Sequence, residues 1–447
     1  MSYLPHTDAD IKAMLEAIGL ERIEDLFHDV PENVRFPELD LPEGISQMET
    51  AWKLEEMSNA NLPGSHTAIF LGAGAYNHYI PSVVHHVISR GEFLTAYTPY
   101  QPEVSQGTLQ AMFEYQSMIC ALTGMEVSNA SHYDGATSLA EAVIMALNVA
   151  RGKRKKIVLC SGIHPEYRQV VRTYTQGMGL TIEGDEGSEA DPEKLAGLID
   201  GDTAMVAVGY PNFFGQIDQI EKVIEATHEH GALACVVADP IALGLFKPPG
   251  WMGADIVVGD GQPLGLPLSF GGPYLGFFAT REKYVRKMAG RLVGETVDVN
   301  GEKGYVLTLA TREQHIRRAR ATSNICTNQG LMALAAAVYM SVMGKHGLRK
   351  VAELCYHKAH YAADQIDALS AYSVDRSKPF FKEFVVQCPA PIAEINDYLL
   401  DAYGIIGGYD LGRDYPDREN QMLIAVTEMN PREEIDDLVK GLAEVAE

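Results

Sequence analysis

Asp255-Ile-Val-Val-Gly-Asp-Gly-Gln262-Pro-Leu-Gly-Leu-Pro-Leu-Ser-Phe-Gly-Gly-Pro273 begins with a short apolar strand, turns at polar residues and continues into a Gly-Gly-Pro loop. Upstream, Val236-Val-Ala-Asp239 is a second apolar strand that also ends in a carboxylate. Continuous apolar strands of this kind are typical of a parallel sheet that is covered on both faces. In such α/β proteins, ligand-binding groups follow the carboxyl ends of the strands.

Asp239 and Gln262 form the most informative pair in the chain. In pyridoxal-phosphate (PLP) enzymes, an Asp pairs with the pyridine nitrogen and a later Lys forms the Schiff base. Here the Asp is present, and Gln262 stands 23 residues later, where the Lys is expected. Because an amide cannot form an imine, the pattern indicates a PLP-enzyme fold that has lost its attachment point.

Strands and helices alternate regularly through the middle of the chain. We predict strands at 157–160, 180–183, 203–208 and 234–238, with helices at about 138–149, 165–178 and 219–230. The last third predicts the order αβαβα, with elements at 331–343, 347–370, 384–388, 392–402 and 422–427 and a final helix opened by Asn430-Pro431. This order indicates an α/β fold with a mostly parallel sheet and a smaller C-terminal α/β domain.

Three regions follow from this pattern: an N-terminal arm at 1–65, a large domain at 66–330 and a small domain at 331–447. In the arm, Thr7 is expected to cap a first helix that Gly19 ends. The rest of the arm is rich in proline and acidic residues, and we expect it to pack across a larger body or a partner.

Composition narrows the function. The net charge of −24 argues against nucleic acid and against anionic membranes as partners, since both need clustered Lys and Arg. Six cysteines without CxxC spacing are expected to be free thiols in a reducing compartment, and no metal site is predicted. No export signal is visible, and the longest apolar run, at 331–343, is too short to span a bilayer, so we expect a cytoplasmic protein.

The segment Tyr97-Thr-Pro-Tyr100-Gln101-Pro-Glu103 is the strongest candidate for binding chemistry. Its two prolines fix φ and predict a stiff, extended loop. The loop offers two phenols, an amide and a carboxylate, which suit a small polar substrate. The alternative is a structural loop that only packs.

Two further candidate binding sites each have a structural alternative. The segment from Asp134 to Ser138, which includes Thr137, precedes a helix and is suited either to hold a phosphate or simply to cap the helix. His164 follows a predicted strand, where it is either a ligand group or an ordinary histidine at a helix start. Farther along, Arg312, Arg317, Arg318 and Arg320 form a basic island that could clamp anions or form ion pairs.

Several long segments together resemble one family. These are FLGAGAYNHYIPSVV at 70–84, YTPYQPEVSQGTLQAMFEYQSMICALTGMEVSNAS at 97–131, YPNFFGQID at 210–218, RRARATSNICTNQGL at 317–331 and the opening SYLPHTDADIKAML. They are similar to the P protein of the glycine cleavage system, specifically to subunit 1, the α subunit, of its split, two-chain form. The resemblance spans nearly the whole chain.

The resemblance implies an aminotransferase-like (type I) PLP fold and a glycine decarboxylase activity. The family reaction releases CO2 from glycine and passes the aminomethyl group to the lipoyl arm of the H protein, with PLP as the electron sink. In the split form the catalytic Lys belongs to the second (β) subunit, so PLP is expected there, in an α2β2 heterotetramer.

For this chain, the resemblance implies a subunit that completes its partner's active site. Tyr97, Tyr100, Gln101 and Glu103 match the family's YTPYQPE motif and would reach the partner's site. A relic of the ancestral cofactor site would then remain in this chain at four positions, namely Asp134, Thr137, His164 and Asp239. Two alternatives stay open: an autonomous PLP enzyme that uses another lysine, such as Lys247, and a non-catalytic scaffold subunit.

Overall fold

The computed structural model of the chain describes residues 5–61, 67–325 and 329–446. It forms two compact units, residues 1–62 and 63–447. The boundary expected at residue 65, and Cys326 among the six cysteines, lie outside the described residues. The other five cysteines are free thiols, as expected, and four of them are buried.

The first unit contains two helices, α1 (Asp8–Ile18) and α2 (Gln47–Asn59). The prediction for α1 is confirmed: Thr7 caps the helix through a capping box with Asp10, and Gly19 ends it in the left-handed conformation. Ser46 and Glu49 form the same capping box at α2. Neither helix buries a side chain.

A seven-stranded sheet forms the centre of the second unit, in the order β2-β8-β7-β6-β5-β3-β4. Pairing from β4 through β7 is parallel, and β8 and β2 each run antiparallel to their neighbour. The prediction of a mostly parallel sheet is therefore confirmed. Its strands, in chain order, are β2 (Val127–Ser128), β3 (Lys156–Leu159), β4 (Thr181–Glu183), β5 (Thr203–Tyr210), β6 (Leu233–Ala238), β7 (Ile256–Asp260) and β8 (Gly276–Thr280).

Helices surround this sheet because its strands are apolar on both faces; every residue of β5, for example, is buried. A two-stranded hairpin, β9 (Leu292–Val297) and β10 (Lys303–Thr308), packs beside α5. The α-helices of the second unit as far as residue 317 are, in chain order, α3 (Ser82–Ile88), α4 (Gly91–Leu94), α5 (Gln106–Thr123), α6 (Gly135–Val149), α7 (Pro165–Thr175), α8 (Pro192–Leu195), α9 (Glu221–Glu229) and α10 (Gln314–Arg317).

A second core lies around a four-stranded antiparallel sheet in the order β11-β12-β15-β14. Phe70, from the start of the second unit, is completely buried in this core. Next to Phe70, strand β1 pairs in parallel with β13. The elements are β1 (Ala68–Ile69), α11 (Gly330–Asp367), β11 (Ser373–Val374), β12 (Glu383–Gln387), α12 (Ile392–Tyr403), β13 (Ile405–Ile406), β14 (Tyr409–Asp410), β15 (Gln421–Ala425) and α13 (Arg432–Val445).

Helix α11 corresponds to the two helices predicted at 331–343 and 347–370. It kinks at Gly344, whose φ of 57° and ψ of −177° are not helical. Among the described residues, α11 is the one helix long and apolar enough to cross a membrane by length and composition. Side chains on both sides of the kink are buried in the two cores, as in the core helix of a globular domain.

Candidate functional site

A small cavity of about 90 Å³ lies at the carboxyl ends of the central strands. Its volume is on the scale of a few water molecules. Two of the residues singled out from the sequence line it: Asp239, which follows β6, and His164, which begins α7 after β3. Asp260 at the end of β7 lines it as well, and Asp134 and Thr137 lie at the neighbouring start of α6. The fold therefore brings these positions together.

Gln262 is completely buried beside this cavity, and its amide holds the backbone of another loop. Its Oε1 accepts from the Tyr76 amide at 2.9 Å, and its Nε2 donates to the Tyr76 carbonyl at 2.8 Å and to the Leu266 carbonyl at 2.9 Å. An amide side chain can accept and donate at once, whereas a lysine can only donate. At this position the chain thus uses the amide as a clamp on Tyr76.

Lys382, which the sequence analysis did not single out, lies in the cavity with only 1% of its surface exposed. Its Nζ forms an ion pair with Asp239 Oδ2 at 2.7 Å and stands 3.4 Å above the centre of the Tyr76 ring. Burial disfavours ionisation of Asp239, but attraction to Lys382 prevails and holds the pKa of Asp239 below its usual range. The carboxylate expected to face a pyridine nitrogen therefore already has a cation.

His78 continues this network on the other side of Lys382. Its Nε2 lies 3.3 Å from Lys382 Nζ, and its Nδ1 lies 2.7 Å from Glu428 Oε2. Burial and the nearby ammonium lower the pKa of His78, so the imidazole is neutral, accepts from Lys382 and donates to Glu428. Burial opposes the charge of Glu428, yet the His78 bond lowers the pKa of that carboxyl to about 2.

His78, Glu428 and Cys355 have side-chain atoms close enough to hold a metal ion. However, Cys355 Sγ donates to Glu428 Oε2 at 3.3 Å, and both ring nitrogens of His78 are engaged. An ammonium next to the cluster would repel a metal cation. The contacts therefore describe an internal hydrogen-bond network.

The start of α6, considered above as a phosphate cradle, is occupied by carboxylates of this chain. Asp134 Oδ1 accepts from the Thr137 amide at 2.7 Å in a capping box, and Asp260 Oδ2 accepts from the Gly135 amide at 3.1 Å. A Cβ at Gly135 would come within 2.2 Å of the Tyr167 hydroxyl, so this helix end is also crowded. The capping alternative is the one that the geometry supports.

The imidazole ring of His164 packs against two aromatic side chains, Tyr167 and Phe213. It stacks on Tyr167 with ring centres 5.2 Å apart and meets Phe213 edge-on at 4.8 Å. Its Nε2 donates to the Ala73 carbonyl at 2.9 Å, since its Nδ1 accepts from the Glu166 amide. Burial lowers the pKa of His164, which keeps the ring neutral.

These contacts do not fit a covalently bound PLP in this chain. Gln262, at the position where an imine-forming lysine was expected, is bonded to the Tyr76 backbone, Asp239 is paired with Lys382, and the helix start is bonded to Asp260. Lys247, the alternative attachment point, is half exposed, pairs with Glu221 at 3.5 Å and does not line the cavity. The alternative of an autonomous enzyme that uses Lys247 gains no support from this geometry.

The Tyr97–Glu103 loop does not line this cavity and borders a second one, of about 360 Å³. Tyr97 is 75% exposed, and Tyr100, Gln101 and Glu103 are exposed as well. The loop is nevertheless anchored, because Gln106 Nε2 bonds the carbonyls of Pro102 and of Tyr305 in β10.

Arg291, a second residue that the sequence analysis missed, supports the loop from below. Its side chain is 6% exposed, and its Nη2 donates to the Tyr100 hydroxyl at 3.1 Å. Its Nε lies 3.4 Å from Glu313 Oε2. A single arginine after a glycine carries no sequence signal, because its loop partner is 191 residues away.

The basic island separates into two kinds of residue. Arg312 bonds the backbone carbonyls of Leu309, Met288 and Gly290, so its role is structural. Arg317 bonds the Thr311 carbonyl, and Arg317, Arg318 and Arg320 are exposed.

The family described as "Glycine cleavage system P-protein" matches residues 1–442 of the chain. A protein of Thermomicrobium roseum named probable glycine dehydrogenase (decarboxylating) subunit 1 is 55% identical over 447 residues, which cover 99% of each chain. The crystal structure of a glycine decarboxylase (P-protein) of the glycine cleavage system, in inhibitor-bound form, is 45% identical, with a TM-score of 0.91 over 100% of both chains.

A sphingosine-1-phosphate lyase from Burkholderia pseudomallei is similar in fold alone, with 15% identity, a TM-score of 0.64 and coverage of 93% of this chain and 94% of that one. The expected aminotransferase-like (type I) fold is therefore confirmed. With the match over nearly its whole length, the chain belongs to the P-protein family of the glycine cleavage system.

Proposed function

We propose that this chain is the subunit of a two-chain glycine decarboxylase that does not attach PLP and that completes the active site of its partner. The observation that supports this most is the combination of a full-length match to P proteins with Gln262 and a Lys382–Asp239 pair in the chain's own pocket. A chain of this family that cannot form the imine needs a second chain that can.

The partner is a homologous second subunit that carries the lysine and PLP, in an α2β2 assembly. The substrate is glycine, and the lipoyl arm of the H protein accepts the aminomethyl group after CO2 leaves. The relatives' designation as subunit 1 supports the need for a second subunit. Free thiols in the described chain and bacterial relatives support a cytoplasmic location.

The part of this chain that acts on the partner's site is the Tyr97–Glu103 loop. Its polar side chains are exposed, while its backbone is anchored to β10 and Tyr100 is held by Arg291. A preorganised loop loses little conformational freedom on binding, which favours a contact with a small, charged substrate such as glycine. Tyr100 and Gln101 offer donors for a carboxylate, and Glu103 offers an acceptor for an ammonium group.

Two charged surfaces are the candidates for the contact with the partner. The first unit carries fourteen acidic and four basic residues in positions 1–62, and its two helices bury no side chain. Arg317, Arg318 and Arg320 are exposed on the second unit. Surfaces of opposite sign of this kind guide association and fix the register of an interface.

The proposal is tested by purifying the chain alone, the lysine-bearing homologue alone and the two together. Glycine–bicarbonate exchange is measured with PLP and lipoylated H protein, and borohydride reduction followed by mass spectrometry locates any pyridoxyl-lysine. We expect exchange only from the mixture, with the adduct on the homologue. Full exchange by this chain alone, or a stoichiometric adduct on one of its lysines, would refute the proposal.

A further inference from the structure

Two ionisable side chains of this chain, Lys382 and Asp260, line its own strand-end cavity. At one end, the Lys382 ammonium lies 2.7 Å from Asp239. At the other end, the Asp260 carboxyl group accepts from the Gly135 amide at the start of α6 and from the Gln262 amide, and burial raises its pKa to about 7. PLP carries the same two features, a ring nitrogen that is a cation when protonated and a phosphate anion, which carboxylates and helix N-termini hold in proteins.

We propose that Lys382 and Asp260 replace the ring nitrogen and the phosphate of PLP, and so close this chain's pocket to the cofactor even where no covalent bond is needed. Gln262 alone excludes only the imine. This inference rests on the fold and on the contacts around the cavity, and it is independent of the proposed reaction with glycine.

Lys382 is held by three groups from two separate segments, the loop that contains Tyr76 and His78 and the end of β6. Asp239 pairs with it, His78 accepts from it, and the Tyr76 ring lies beneath it. Each support is itself fixed: Gln262 bonds both backbone groups of Tyr76, and Glu428 bonds His78 at 2.7 Å.

The volume of the cavity and the crowding around it also argue against a bound cofactor. The cavity volume of about 90 Å³ is small beside the roughly 300–1,000 Å³ of typical cofactor and ligand pockets. At the anion end, the Tyr167 hydroxyl crowds Gly135. A cofactor could enter only if Lys382 left Asp239 and Asp260 left the helix start, and the buried Lys382 ammonium would then lose its ion-pair partner.

The test uses pyridoxamine 5′-phosphate, which has the ring and the phosphate of PLP but no aldehyde to react with surface lysines. Equilibrium dialysis of the full wild-type chain should show no saturable binding up to about 1 mM, hence a Kd weaker than that. One-to-one binding with a Kd well below this value would show that the pocket is open and would overturn the proposal.

The double variant Lys382→Ala/Asp260→Ser frees both ends of the cavity. It should bind one pyridoxamine 5′-phosphate per chain at least about tenfold more tightly than wild type, and a further Asp239→Asn change should remove that gain. Lys378→Ala is the matched control, because Lys378 pairs with the buried Asp218 at 2.6 Å but does not line the cavity. It should gain no binding.

A double variant that folds and does not bind would also overturn the proposal. Should the double variant not fold, Lys382→Ala alone is tested with unphosphorylated pyridoxamine, which needs only the Asp239 end. A ligand-dependent rise of Tm in this variant, absent from wild type and from Lys378→Ala, supports the replacement, because a ligand stabilises the folded state to which it binds. No rise refutes it. None of these readouts involves glycine turnover, so their failure is separate from failure of the proposed function.

Discussion

Replacing Gln262 by lysine introduces the residue type that the sequence pattern led us to expect at this position, and the structure predicts that the change destabilises the chain. The side chain is completely buried, and its three partners are neutral backbone groups: the amide and carbonyl of Tyr76 and the carbonyl of Leu266. A lysine can still donate to both carbonyls. It cannot accept from the Tyr76 amide.

The expected cost has two parts. A buried amide that loses its acceptor costs about 1–3 kcal/mol. A buried ammonium without an ion-pair partner costs several kcal/mol more, unless it loses its proton. We therefore expect Gln262→Lys to lower the free energy of unfolding by about 3–6 kcal/mol at pH 7. The isolated variant should show no glycine–bicarbonate exchange and no trapped pyridoxyl-lysine.

The pH dependence identifies the buried ammonium. Burial without a partner lowers the pKa of a lysine in the folded state below its unfolded value of about 10.4, so the unfolded chain binds more protons between the two values. Stability of the variant should consequently rise with pH relative to wild type, by up to about 1.4 kcal/mol per unit between pH 7 and 9. Urea unfolding at both pH values measures this difference.

Gln262→Met is the matched control, because it loses all three hydrogen bonds without adding a charge. It should be destabilised with the same pH slope as wild type. The reasoning is wrong if Gln262→Lys unfolds within about 1 kcal/mol of wild type at pH 7 and matches the slope of Gln262→Met.

Three further outcomes are expected. In the assembled complex, Tyr100→Phe should slow exchange by roughly 30- to 1000-fold, about 2–4 kcal/mol, if its hydroxyl contacts the reacting glycine. Tyr174→Phe is the control and should not slow exchange, because Tyr174 is a partly exposed residue of α7 that lines neither cavity described above. Wild-type turnover of Tyr100→Phe at unchanged stoichiometry and Tm would favour the scaffold alternative. Lys382→Met should lower the free energy of unfolding, measured with urea, by about 3–5 kcal/mol, because it leaves the buried Asp239 carboxylate without its ion-pair partner. Adding Asp239→Asn removes that charge and should recover most of the loss. A double variant that is no more stable than Lys382→Met would contradict this prediction. Burial raises the pKa of Glu383 to about 7. The protonated carboxyl therefore favours the folded state at low pH, and this contribution to stability is lost as pH rises from about 4.5 through 7. Glu383→Gln should flatten this part of the stability profile by at most about 3 kcal/mol, and an unchanged profile would show that the carboxyl is ionised throughout.

Local patterns predicted most of the fold because they are decided locally. Thr7 and Gly19 mark the ends of α1 through hydrogen bonds within four residues, and the apolar run at 203–208 forms a strand buried on both faces. The sequence also predicted an interruption near Gly344, because it predicted two helices separated by a short gap where α11 kinks. The antiparallel direction of β8 was not, because strand direction depends on the path of the intervening loop.

The interior of the site could not be predicted in the same way. Lys382 stands between two phenylalanines and an acidic residue at the start of an apolar strand, which is an unusual place for a lysine. The local sequence shows only that this lysine is in an unusual place. Its role depends on contacts with Asp239 and His78, which are 143 and 304 positions away in the sequence. The same holds for Gln262: the sequence shows a glutamine where a lysine was expected, but it does not show the hydrogen bonds of that glutamine to the Tyr76 backbone.

The burial of Phe70 in the second core has a consequence for how the chain is made. Its neighbours in that core, such as Ile405 and Ile424, leave the ribosome more than 330 residues after it. The second core is therefore not an independent module of the last third of the chain: Phe70 is made near the beginning and has no buried partners among the described residues of this core until the last third has been synthesised. A fragment that starts at residue 331 would lack β1 and Phe70, and would expose the apolar surface that they cover.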